Sequence, residues 1–133
     1  MKYFRIAELC RSATAANRHI DNTPSEEIRS RLESLIVIVL DPLREAYGKP
    51  IYVNSGYRSP RLNLIVGGKS NSQHLRGEAA DITTGSRDGN IWLYNYIKNH
   101  LPYDQLIDEQ DYSWIHVSYK VDGGNRHQVL KSE

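Results

Sequence analysis

"NSQHLRGEAADI", residues 71–82, sets His74 and Asp81 on either side of Gly77 and a pair of alanines. The glycine allows a tight turn, and Ala79 and Ala80 leave room for close backbone packing. A loop therefore delivers His74, and "EAADIT", a buried strand of small and apolar residues, delivers Asp81. Histidine is the commonest protein ligand for zinc and carboxylate the next, and catalytic zinc centres use three protein ligands with one position left open. His116 lies in "WIHVS", the most strand-like segment of the chain's second half, and is the natural third ligand. His19, His100 and His127 sit in no such pattern and read as ordinary structural or surface histidines.

Around this segment the pattern predicts a hairpin, helices and one more strand. "YDQLIDEQDYSWIHVSYK" alternates over two runs joined by the polar "QDYS", which is hairpin patterning. "RDGNIWLYNYIKNH" is an amphipathic helix, with Ile91, Leu93, Tyr94 and Ile97 as its core residues. "PIYVNSGYRSP" predicts a short strand over Ile51 to Val53, opening into a loop that displays Tyr57 and Arg58. "RLNLI" is a helical turn and "VGGKSNS" a loop. Upstream, "TPSE" has the form of a capping box with Thr23 as N-cap and Pro24 at the first helical position. Ile28, Leu32, Leu35, Ile36, Val39, Leu40 and Leu43 follow at helical spacing as far as Gly48, and Pro42 should kink this helix or restart it with Asp41 as a fresh N-cap. The tail from Asp122 is polar and expected to be loose. The order of elements gives an α+β fold, a small, mainly antiparallel sheet with flanking helices.

Composition narrows the function. At 133 residues, 1–133 is expected to form a single domain. A formal charge of +1 provides no electrostatic grip on nucleic acid or anionic membrane. The longest apolar run, Leu35 to Leu40, is too short to insert in a bilayer. Cys10 stands alone, so no internal disulfide supports the fold. Glu8 and Arg11 interrupt the stretch that a signal peptide would need to be apolar, so the expectation is synthesis in the cytoplasm without such a signal. A substrate outside the cytoplasm would then be met only after release or delivery.

"SQHLRGEAAD" fits the SxHxxGxAxD signature of the M15 zinc peptidases, which act on peptidoglycan. "SGYRSP", "VGG" and "DQLIDE…WIHVSY" resemble the M15A branch in particular, and the resemblance runs in order from about Pro50 to Tyr119. "ELCRSATA…IDNTP" resembles the leader of small bacterial and phage-borne members. The resemblance implies a Hedgehog/DD-peptidase-like fold and one zinc per chain held by His74, Asp81 and His116. It implies that Arg58 points at the scissile carbonyl and that Ser72 lies at the substrate-binding edge, with Tyr57 and Trp114 as pocket walls. The implied substrate is a peptidoglycan stem peptide, cut as a D-Ala-D-Ala carboxypeptidase or as an L-Ala-D-Glu or cross-link endopeptidase would cut it. A phage endolysin or virion-associated lysin, acting on the wall after release or delivery, is the implied setting.

One position departs from the family. Several relatives carry a catalytic carboxylate three residues before the last zinc histidine, where this chain has Ser113. A hydroxyl is no general base at neutral pH without its own activator, so the base comes from elsewhere or the domain is inactive. If Glu109 and Trp114 flank the hairpin loop as a pair, His116 lies opposite Ile107, and Glu109 shares the face of His116 as its diagonal neighbour. Glu109 is then the expected base. The competing reading is a non-catalytic zinc-stabilised cell-wall-binding or phage structural module, since the Hedgehog signalling domain keeps such a zinc site. Retention of Arg58 and Glu109 favours the enzyme.

Overall fold

A computed structural model describes residues 1–132. Two short helices, α1 (Ile6–Cys10) and α2 (Ala13–Asn17), precede a long helical segment made of α3 (Glu26–Leu35), a π-turn (Ile36–Leu40) and α4 (Asp41–Tyr47). Strand β1 (Tyr52–Ser55), helix α5 (Pro60–Ile65), a 3₁₀ turn (Gln73–Arg76) and strand β2 (Ala79–Thr83) follow. Helix α6 (Arg87–His100) leads into β3 (Gln105–Glu109), β4 (Trp114–Ser118) and β5 (Gln128–Ser132). The strands form one sheet in the order β1-β2-β4-β3-β5, antiparallel except for the β3–β5 pair. This is the expected α+β architecture with a mainly antiparallel sheet.

Period-two alternation sorts the two faces of the sheet. Ala80, Ile82, Leu106, Ile115 and Val117 are buried in one core with Leu32, Leu35, Val39, Leu40, Leu43, Leu93 and Ile97 of the helices. Each fully buried leucine contributes on the order of 1.5–3 kcal/mol. The opposite face carries Asp81, Ile107, Glu109, Trp114 and His116, all half-buried. The helices thus cover one face and leave the chemistry on the other.

Four local expectations need correction. Ser25, not Thr23, caps α3, its hydroxyl accepting from Ile28 N at 3.3 Å, while Asp21 takes the Thr23 N–H at 2.9 Å. Asp41 is not a fresh N-cap, because its carboxylate accepts from the backbone N–H groups of Lys2, Tyr3 and Phe4 and pins the N-terminus to the helix. The helical path continues through Pro42, and the expected distortion takes the form of a π-turn directly before it. The π-turn widens the helix just ahead of a residue that has no N–H to donate and whose ring crowds the preceding turn. The first strand begins at Tyr52 and runs to Ser55. Finally, the tail supplies β5, which pairs in parallel with β3 from Gln105↔Gln128 to Glu109↔Ser132.

Asp104 holds that tail. Its side chain is wholly buried and accepts from Arg126 N, from Arg126 Nε and Nη2, and from Gln73 Nε2, at 2.7–3.1 Å. The Arg126 hydrogen bond outweighs burial and holds the Asp104 carboxyl at about 2, against an ordinary 3.8. The folded value is the lower one, so this stabilisation is complete above the unfolded pKa and is lost as pH falls from 3.8 towards 2. At 1.36 kcal/mol per unit it amounts to roughly 2 kcal/mol at neutral pH. Asp104→Asn should therefore unfold about 2 kcal/mol more easily than wild type at pH 7 and converge on it near pH 2. Denaturation at both pH values checks this, and a gap that does not change with pH would contradict it.

Candidate active site

His74 sits in the 3₁₀ turn, which Ser72 caps by accepting from the His74 N–H at 3.1 Å and which Gly77 closes at φ 74°. A side chain at Gly77 would be strained by that φ and would meet Ile28 of α3. Asp81 lies on β2 directly opposite His116 on β4, and cross-strand partners share a face. His116 Nδ1 is 2.9 Å from Asp81 Oδ1, His74 Nε2 is 3.4 Å from Asp81 Oδ2, and the two rings meet edge-on with centroids 5.2 Å apart. One donor atom from each residue falls within 4.8 Å of the others. Donors about 2.0–2.2 Å from a tetrahedral zinc stand roughly 3.4 Å apart; the His74–Asp81 distance matches that value and the His116–Asp81 distance lies about 0.5 Å below it. The donor set and its spacing fit the expected ion.

The electrostatics agree with that fit. Burial opposes ionisation of Asp81, but hydrogen bonds from His116 and His74, with their charges, hold its carboxyl well below the usual carboxylate range. The carboxylate is therefore ionised and ready to ligate. His74 Nδ1 lies 2.6 Å from the Gly56 carbonyl, which leaves Nε2 to face Asp81. A carbonyl that accepts from one ring nitrogen fixes the tautomer and orientation of the other.

Arg58 follows β1. Its N–H donates to the His74 carbonyl at 3.1 Å. Asn22 fastens the chain on both sides of it, accepting from Ser59 N at 2.7 Å and donating to the Tyr57 carbonyl at 3.1 Å. Arg58 Nε is buried without a partner among the described residues. Burial lowers the Arg58 pKa and the Asp81 charge opposes that shift. Arg58, Tyr57 and Asp81 line one cavity of about 380 Å³. Trp114 stands two residues before His116 on the same face, with an indole N–H that is buried and unpartnered among the described residues.

The hairpin has the expected register, with Glu109↔Trp114 and Ile107↔His116 paired. Ser113 Oγ donates to the Gln110 carbonyl inside the loop, and Asp111 is gripped by Arg87 Nε and Nη2 at 3.3 and 2.9 Å. Glu109 is half-buried, and its carboxylate makes no hydrogen bond or ion pair among the described residues. Of the three polar groups around this loop, Glu109 alone is uncommitted.

Gly56 and Asn22 were not singled out from the sequence. Gly56 left no mark because its role is carried by a backbone carbonyl, and Asn22 read only as part of "IDNTP". A Cβ at Gly56 would stand 2.2 Å from the Leu9 carbonyl oxygen, which already accepts from Tyr57 N at 2.7 Å. Gly56→Ala must therefore push the loop away from α1 and carry the His74 acceptor with it. The expected cost is about 10–100-fold in zinc affinity, the usual worth of such an outer partner. Titration against a competing chelator checks it, and unchanged affinity would remove Gly56 from the site.

The His–Asp–His cluster is a group that could hold one metal ion, and beside it the Arg58 Nε is buried without a partner among the described residues. The chain belongs to the peptidase M15 family, whose model matches residues 2–118. It is also 48% identical over 62 residues to the zinc D-Ala-D-Ala carboxypeptidase of Streptomyces albus G, a match covering 46% of this chain and 24% of that protein. The chain thus matches about a quarter of that relative's length.

Proposed function

We propose that the protein is a zinc peptidase of bacterial cell-wall stem peptides, with His74, Asp81 and His116 holding one zinc ion. The carrying observation is the gathering of these three donors within 4.8 Å on the open face of the sheet. The zinc in the name of the Streptomyces relative supports the choice of ion. When bound, zinc supplies Lewis acidity and brings the pKa of a water towards neutrality. Glu109 takes the proton from the attacking water and passes it to the departing amine. Arg58, already desolvated and held by Asn22 and the His74 carbonyl, stabilises the oxyanion as it develops. Tyr57 and Trp114 wall the substrate. Ser72 supports the substrate edge by fixing the turn that carries His74.

Removal of a terminal D-alanine is one candidate reaction, and cleavage at L-Ala–D-Glu or at a cross-link is the other. The resemblance of the N-terminal segment to small phage-borne members supports a lysis or virion-associated enzyme that reaches the wall after release or delivery. The whole chain then works as one peptidase domain. No helix among the described residues is long and apolar enough to cross a membrane. Digestion of purified peptidoglycan, with mass spectrometry of the fragments, tests the reading. Soluble fragments or free D-alanine that appear with zinc and vanish with chelator are expected. Intact peptidoglycan after incubation with zinc-loaded protein would overturn the reading.

A further inference from the structure

The cavity that Asp81 lines is also lined by the α1–α2 junction and the start of α2, which supply Arg11, Ser12, Ala13 and Thr14. Two guanidinium-bearing residues, Arg11 and Arg58, thus line the same space. Arg11 makes no ion pair or hydrogen bond among the described residues. Asp81 is the one acidic residue in the lining, and its charge is committed to the histidine pair. The space is therefore cationic, and Ala13 puts only a methyl group beside Arg11. Arg11 is exposed at the rim of this open cavity, and a cation there without a protein partner is matched by an anion on a ligand that fills the space. Arg58 is needed at the oxyanion, which leaves Arg11 for that anion.

We infer, on the strength of the peptidase reading, that Arg11 is a specificity-determining residue that recognises a free α-carboxylate on the amino acid leaving from the scissile bond. Stem-peptide chemistry gives two sources of that group. A terminal D-alanine carries it as the chain end. A D-glutamate joined onward through its γ-carboxyl carries it as a branch next to its own acylated nitrogen. In both bonds the leaving amine and the carboxylate sit on one carbon, so a single pocket serves either. Ala13 leaves room for a small side chain beside that carbon.

The test uses zinc-loaded full-length protein and two peptide pairs. One pair ends in D-Ala-D-Ala as the free acid or the carboxamide; the other contains L-Ala-γ-D-Glu with its α-carboxyl free or amidated. Wild type should cleave the acid of at least one pair about 10–100-fold more efficiently than its amide, the worth of a charge-assisted hydrogen bond. Which pair is cleaved identifies the source of the carboxylate. Arg11→Gln should bring the acid-to-amide ratio close to unity, mainly through KM, and Arg11→Lys should restore part of it. Wild type that cleaves acid and amide alike would overturn the inference while the peptidase reading stands. So would an Arg11→Gln variant that keeps the wild-type ratio. Cleavage of neither pair would defeat both, and zinc content and melting temperature of each variant guard against misfolding as the cause.

Discussion

Glu109→Gln is expected to keep its zinc and its melting temperature and to lose about 10²–10⁴-fold in kcat, the worth of general acid–base catalysis. The substitution is nearly isosteric, and the Glu109 carboxylate makes no hydrogen bond or ion pair among the described residues that would be broken. The pairing of Glu109 with Trp114, two positions along from Ile107↔His116, puts the carboxylate on the metal face as the diagonal neighbour of His116. The competing groups are otherwise engaged. Asp111 serves the Arg87 pair and Ser113 the Gln110 carbonyl, so Asp111→Asn and Ser113→Ala should keep most of the activity. Zinc content and turnover measured together on the three variants check this. A zinc-loaded Asp111→Asn that is dead beside an active Glu109→Gln would transfer the role.

The second large effect is on metal binding. His74→Ala, Asp81→Ala and His116→Ala should each abolish tight zinc binding and with it all turnover. Each removes one of three donors, and Asp81 is the residue that both histidines face. A metal that binds only the folded chain stabilises it by RT ln(1 + [Zn]/Kd), about 2.7 kcal/mol at a hundredfold excess over Kd. Chelation should lower the melting temperature of wild type and leave that of the three variants unmoved. Thermal melts with and without chelator check it. Should His116→Ala still lose stability on chelation, His116 would not be a ligand.

The site was easier to read from the sequence than some of the structure around it. Period-two alternation on both sides of "QDYS" marked the hairpin, and taking Glu109 and Trp114 as the pair that flanks the loop gave the register and the placing of Glu109 and His116 that the structure has. The loop's own conformation carried no such signal. Gln110, Asp111 and Tyr112 take φ values of 48°, 55° and 63° without a glycine, held by buried Asp108 accepting from Tyr112 N and by Arg87 on Asp111. Tertiary partners override local preference there. β5 escaped notice because an edge strand pairs through its backbone and needs no apolar face, and what holds it is Asp104, far away in sequence. At α3, Thr23 and Ser25 both offer a capping hydroxyl, and Pro24 between them did not decide which would be used. Gly56 and Asn22 act through backbone groups and through contacts distant in sequence, which no local pattern encodes.

Anomalous diffraction from crystals of the zinc-loaded protein, recorded on both sides of the zinc absorption edge, tests the central claim most directly. One peak per chain is predicted, ligated by His74 Nε2, the Asp81 carboxylate and His116 Nδ1. A peak at any other group of residues, or no peak from crystals shown to contain zinc in stoichiometric amount, would contradict the account.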